Sequence, residues 1–299
     1  MHIAVLILAS ALFVVAAHDV YPQEAAAPNP ADNQWSHALF DRVIDNQKKN
    51  DAAMDLYERI ERVESHKTTS DHQTTETKTA RVVPAGTGAA HLPLGPDGKA
   101  TDAATYRIEL EKLEKSLVWA AETGRAQHDA YEKIAKKRRE REELIGAAKT
   151  AFIFTFVNRE PRGARTLLKY RMDPNPAFKP TSRATSVYTR VRGTVWIDEA
   201  SGELARIEGE VTDDISLGLF LAKVYKGSHF MQERYEMVPG LWLPTFSQYD
   251  FDGRKFLSSF AIHERTFYSN YRLVGTPKEA LELVRAELKE GHAPKTASP

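Results

Sequence analysis

Hydrophobic positions open the chain as one block. Ile3 to Ala17 reads IAVLILASALFVVAA, apolar except for Ser10. That is short for a membrane span, which takes about 20 apolar residues, and suits a signal-peptide core of roughly 7–15. Val15-Ala16-Ala17 places small residues at its end, so a signal peptide over residues 1–17 is expected, cleaved before His18. The preceding Met1-His2 lacks the Lys or Arg usual there. Pro22, Pro28 and Pro30 stop the segment from extending as a helix. Residues 18–33, rich in Pro, Ala and Asn, read as a disordered linker.

The pattern then turns helical. Trp35, Leu39, Val43 and Ile44 predict a helix over 33–50. Residues 53–64 fit helix or strand. Six threonines between Thr68 and Val83 favour an extended, solvent-facing strand ending at Pro84. Residues 84–101, with Gly95-Pro96-Asp97-Gly98, read as turns. Tyr106, Leu110, Leu113 and Leu117 form a helical stripe, Thr123-Gly124 interrupts it, and a charged helix resumes over about 126–148.

From Ala151 the period becomes two. Phe152, Phe154 and Phe156 alternate with Ile153, Thr155 and Val157, which predicts a strand buried on both faces. Ala164–Met172 is a second strand, and Gly193–Asp198 with Glu203–Thr212 a hairpin. Ala222–Val238, Leu241–Phe251 and Arg254–Phe267 complete the series, separated by Pro239-Gly240 and Asp252-Gly253. Tight turns make such strands antiparallel neighbours. Thr276, Pro277 and Glu279 spell a capping box opening a helix that Gly291 ends; 292–299 read as a disordered tail.

Composition narrows the function. With no cysteine, the chain has neither disulfides nor a lipid-anchored Cys. Lys plus Arg and Asp plus Glu both total 41, a balance that argues against nucleic acid as partner. The run Lys133–Glu143 is basic, but Lys136, Arg138 and Arg139 have acids four residues on, as on a solvated helix face. His66, His72 and His91 lack metal-ligand spacing, so no metal is expected. No Gly-rich phosphate loop and no GxSxG occurs; Lys226-Gly227-Ser228-His229 and Asp213-Asp214 read as turns. Neither catalysis nor a cofactor is expected. The aromatic residues of the strand-rich half suit ordinary core or an apolar cavity. The candidate lining is Phe152, Phe154, Phe156, Tyr170, Trp196, Phe230, Trp242 and Phe246.

Gly193-Thr-Val-Trp-Ile-Asp198 followed by Gly202-Glu-Leu-Ala-Arg206-Ile-Glu208 resembles a hairpin of the bacterial lipoprotein-sorting, Lol-type carrier relatives. Gly240-Leu-Trp-Leu-Pro244 and Tyr268-Ser-Asn-Tyr-Arg272 are similar to later strands of that family. Asp45-Asn-Gln-Lys48 resembles the start of a group of uncharacterised exported members. The resemblance spans roughly 35–275 and is best over 190–275. It implies an antiparallel sheet bent into a half-open barrel, helices across its mouth, and a cavity for acyl chains or other apolar ligands. The charged helical stretch at about 103–148 departs from the compact carriers.

The expectation is therefore an α+β fold: a curved antiparallel sheet of about eight to eleven strands, a half-open β-barrel, with covering helices. One domain would span 34–275, with a helical insertion at about 103–148 and a C-terminal helix over 276–291. The expected function is a non-enzymatic periplasmic or secreted carrier of lipid-like ligands, without a stable membrane span after signal cleavage. The alternative is a structural or interaction module of the cell envelope that binds a protein partner and no small ligand.

Overall fold

The computed structural model describes residues 30–217, 222–256 and 258–290. The expected signal peptide, linker residues 18–29 and the tail 292–299 lie outside them. Pro30 to Asn33, read as linker, already belong to helix α1 (Pro30–Met54).

Strands β1 (Tyr57–Thr69), β2 (Gln73–Pro84) and β3 (Ala89–Leu94) follow. Helices α2 (Ala103–Ala121) and α3 (Arg125–Ala151) come next, then β4 (Phe152–Arg162) and β5 (Arg165–Pro174). A 3-10 turn, Thr185–Arg190, leads into β6 (Val191–Asp198) and β7 (Leu204–Val211). After two short strands, β8 (Ile215–Leu217) and β9 (Ala222–Val224), come β10 (His229–Val238), β11 (Leu241–Lys255) and β12 (Ser258–Leu273). Helix α4 (Pro277–Glu290) is the last described element.

All strand pairings are antiparallel among the described residues. One sheet runs β3-β2-β1-β12-β11, with β10 on the first part of β11 and β9-β8 on its end; a second runs β4-β5-β6-β7. The two meet where the Val211 N–H donates to Ser228 O and the Gly227 N–H donates to Val211 O, both at 2.8 Å. The result is one large bent sheet that does not close. The expected α+β class and half-open curvature hold.

Several local expectations are corrected. The Thr-rich run is no single strand: the chain reverses at Ser70–His72, closed by Thr69 N–H to His72 O at 2.8 Å. The Gly/Pro-rich stretch contains β3, where Pro93 is tolerated on an edge. The span 222–238 is two strands, broken at Gly227, whose φ of +87° suits glycine. Twelve strands are therefore present among the described residues. β4 is not buried on both faces. It is an edge strand, and Ile153 and Val157 are 48% and 46% exposed.

Helices sit on both sides of the sheet. α2 starts at Asp102, whose carboxylate accepts the Ala104 and Thr105 N–H groups. Its stripe of Tyr106, Leu110, Leu113 and Leu117 packs with Ala280, Leu281 and Val284 of α4 onto Val83, Leu92 and Leu94. The capping box of α4 forms, Thr276 N–H donating to Glu279 Oε2 at 2.7 Å. α1 and α3 lie on the opposite, concave face. Leu39, Phe40, Val43 and Leu144 press on Tyr170, Met172, Val195 and Ile197. The Tyr188 hydroxyl fastens α3 by donating to Leu144 O at 3.0 Å.

Candidate functional site

Side chains of a strand alternate between its faces. Arg59, Glu61 and Val63 of β1 thus share the concave face with Ile262, Glu264, Thr266 and Tyr268 of β12, Tyr249 and Phe251 of β11, and Gln232 and Arg234 of β10. α1 and α3 cover only part of this face. Between them and the sheet lies a hollow of about 1120 Å³, just above the usual range of ligand-cavity sizes, roughly 300–1,000 Å³. One wall is apolar: Ile44, Ile145, Phe154, Met172, Ile197 and Ile207 line it. At the rim Lys137 and Arg138 of α3 stand exposed.

A polar patch lies inside. Arg234 is 6% exposed. Its Nε donates to Gln232 Oε1 at 2.8 Å and its Nη1 to Trp242 O at 3.4 Å. Asp51 of α1 is 3.8 Å from Nη2. Asp51 also accepts from Gln47 Nε2 at 3.0 Å and from Arg141 Nη1 of α3 at 3.3 Å. Burial lowers the Arg234 pKa, with Asp51 opposing that shift. Burial likewise raises the Glu203 carboxyl, which accepts from Asn50 Nδ2 at 2.7 Å, and pushes the Tyr268 phenol up to about 12. The helices are also tied to each other: Arg138 holds Asp55 at 2.6 Å, and Lys149 pairs with Asp41. Arg138 thus reaches across to Asp55, just past the end of α1, and not along its own helix to Glu142.

Of the eight aromatic residues expected to line a cavity, only Phe154 does. Phe152, Phe156 and Tyr170 pack beneath the helices, Tyr170 against Phe40 and Phe152 against Tyr188, at 5.3 and 5.2 Å between ring centres. Phe230 shares a strand face with Gln232 and Arg234 but is sealed among Val191, Val211 and Val224. Trp196 and Trp242 are on the outer face with Leu167 and Ala205, because Val195 and Ile197 point inward. There Trp196 donates to Glu160 Oε2 at 2.7 Å, and Arg165 lies over Trp242. Phe246 meets Phe267, itself capped by Arg62, also away from the hollow. The missed residues include aliphatic and charged side chains as well as other aromatic ones, Tyr188, Tyr249, Phe251 and Tyr268. One signal marked two of them: Gln232 and Arg234 continue the face of Phe230 at alternate positions, polar where a core face should be apolar.

Candidate chemistry elsewhere resolves into turns. Ser228 Oγ accepts from Asp252 N–H at 3.1 Å, and Asp214 accepts from Lys223 Nζ and Lys226 N–H. Among the described residues no cluster of His, Asp or Glu is placed to hold a metal, and no helix is long and apolar enough to cross a membrane.

No family model and no curated protein matches the chain. Three solved structures are similar at low scores. A LolA superfamily protein from Nitrosomonas europaea is 8% identical over 82% of this chain and 96% of its own, with a TM-score of 0.30. A candidate outer membrane lipoprotein-sorting protein domain from Vibrio parahaemolyticus is 10% identical over 82% and 99%, also at 0.30. A DUF1329 family protein from Desulfovibrio piger is 9% identical over 79% and 92%, at 0.26. Function is therefore read from the hollow itself.

Proposed function

We propose that this is a non-enzymatic binding or carrier protein for lipid-like ligands, working outside the cytoplasm. The observation that carries the proposal is the hollow between the concave sheet and α1 and α3, one wall of which is apolar. Apolar side chains facing open space forgo the gain of burial, and a ligand chain restores it at about 0.8 kcal/mol per methylene. Ten methylenes yield ~8 kcal/mol, enough to offset much of the 4–15 kcal/mol that association costs. The export signal expected over residues 1–17 supports the placement.

Native mass spectrometry of the purified protein is expected to show co-purifying lipid, and the delipidated protein should take up a fluorescent fatty-acid analogue at micromolar concentration. A folded, delipidated protein that takes up no analogue overturns the reading and favours the interaction-module alternative.

A further inference from the structure

The lining of the hollow is not electrically balanced. Seven Lys and Arg face four Asp and Glu there, in a chain whose totals are equal. Most of these charges neutralise one another. Arg59 holds Glu61 at 2.6 Å, Lys67 holds Glu264 at 3.2 Å and Arg138 holds Asp55 at 2.6 Å. Lys149 turns outward to Asp41. Asp51 serves two guanidiniums at once, and Arg141 has the shorter contact, 3.3 Å against 3.8 Å for Arg234.

Arg234 is thus a buried cation whose one paired carboxylate, Asp51, is shared with Arg141 and stands 3.8 Å away. Its Nε and Nη1 are anchored to Gln232 and Trp242, whereas Nη2 makes no hydrogen bond among the described residues. Glu203, a second buried carboxylate near it, is engaged by Asn50. A guanidinium anchored on one side and only loosely paired on the other is suited to grip a planar carboxylate or a phosphate. It lines the same hollow as Ile207 and Val195, so a head group held there can leave its chain on the apolar wall.

We infer that the ligand of the hollow is an anionic amphiphile, its carboxylate or phosphate head held by Arg234 and its chain lying on the apolar wall. This rests on the carrier reading and narrows its ligand class. A neutral lipid would leave Nη2 without a charged acceptor of its own. An anion supplies an acceptor for the Nη2 donor and offsets the excess positive charge.

The test titrates the delipidated full chain, by calorimetry below micelle-forming concentrations, with hexadecanoate, hexadecyl phosphate, hexadecanol and inorganic phosphate. At least one of the two anionic amphiphiles is expected to bind roughly tenfold or more tightly than the alcohol. The stronger of the two identifies a fatty-acid or a phospholipid type of head. Arg234→Gln is expected to abolish the preference while hexadecanol binds as before. Should that variant fail to fold by circular dichroism, Arg234→Lys, which keeps the charge and loses the fork, is expected to lower the preference several-fold. Equal binding of acid and alcohol overturns the inference and leaves the carrier reading standing, whereas failure of every amphiphile overturns the carrier reading. Inorganic phosphate binding as tightly as hexadecyl phosphate overturns the amphiphile. A preference unchanged in the folded variant overturns the role of Arg234.

Discussion

Arg81 Nε and Nη2 both meet Glu58 Oε2 at 2.8 Å, deep between the sheet and its outer helices. Arg81 Nη1 also holds Glu287 of α4 at 2.8 Å and donates to the Tyr106 hydroxyl of α2 at 2.9 Å. One side chain, 3% exposed, thus joins β1, β2, α2 and α4. Burial disfavours its charge, but Glu58 and Glu287 outweigh that and raise its pKa. Arg81→Met is expected to cost about 3 kcal/mol, because it leaves the buried Glu58 with Arg272 alone and takes the guanidinium from the half-buried Glu287. Urea unfolding measures it; a loss below about 1 kcal/mol would place the strength of this layer in its apolar contacts alone.

Stability should also fall at alkaline pH. Burial raises the Tyr106 and Tyr268 phenols to about 12, and raises Tyr188 and Tyr271 further. The unfolded chain ionises its phenols near 10. The unfolded state therefore loses protons first as pH rises. The contribution of these groups is whole below about pH 10 and is lost on passing through the folded values. Urea midpoints are expected to drop between about pH 10 and 12, with tyrosinate absorbance lagging until the chain unfolds. Ionisation of all the tyrosines together near pH 10 in the folded protein contradicts this.

Gly193 faces Gly209 across β6 and β7. A Cβ on Gly193 would stand 1.9 Å from Glu208 O and 2.7 Å from the Gly209 Cα, and backbone cannot yield as a side-chain tip can. Gly193→Ala is expected to destabilise by about 1–3 kcal/mol. Gly146→Ala on α3 meets nothing within 4 Å and should stabilise by up to about 1 kcal/mol through helix propensity. Urea unfolding of the two variants should give opposite signs; equal signs would show that packing at Gly193 is not what sets its cost.

Features encoded by neighbouring residues were legible in the sequence. The capping box at Thr276 needs only three positions, and the β6–β7 hairpin a turn between two alternating runs. Long-range placement was not. The β1–β2 reversal at Ser70–His72 carries no Gly or Pro to announce it. The apolar run of β4 is that of a strand covered on both faces, but the face of Ile153 and Val157 is open to solvent. Aromatic content pointed to the right half of the chain and mostly the wrong face. Whether Trp196 or Val195 enters the hollow depends on register, which the pairings of β5, β6 and β7 fix together. Asp51 and Arg234 meet only because α1 lies across β10.

The hollow can be filled without disturbing the core. Val63 on β1 faces it, opposite Thr266 in register, whereas its neighbour Arg62 points the other way toward Phe267. An indole at position 63 enters open space, so Val63→Trp should avoid the overpacking strain of a filled core. Its urea midpoint is expected to stay close to that of the unaltered protein while affinity for a fluorescent fatty-acid analogue falls roughly tenfold or more, since the added ring occupies volume and contact area the chain would use. Arg62→Trp adds the same ring to the outer face and should leave affinity unchanged. If both substitutions weaken binding equally, or Val63→Trp leaves it intact, the analogue binds elsewhere on the protein and the hollow is not the site.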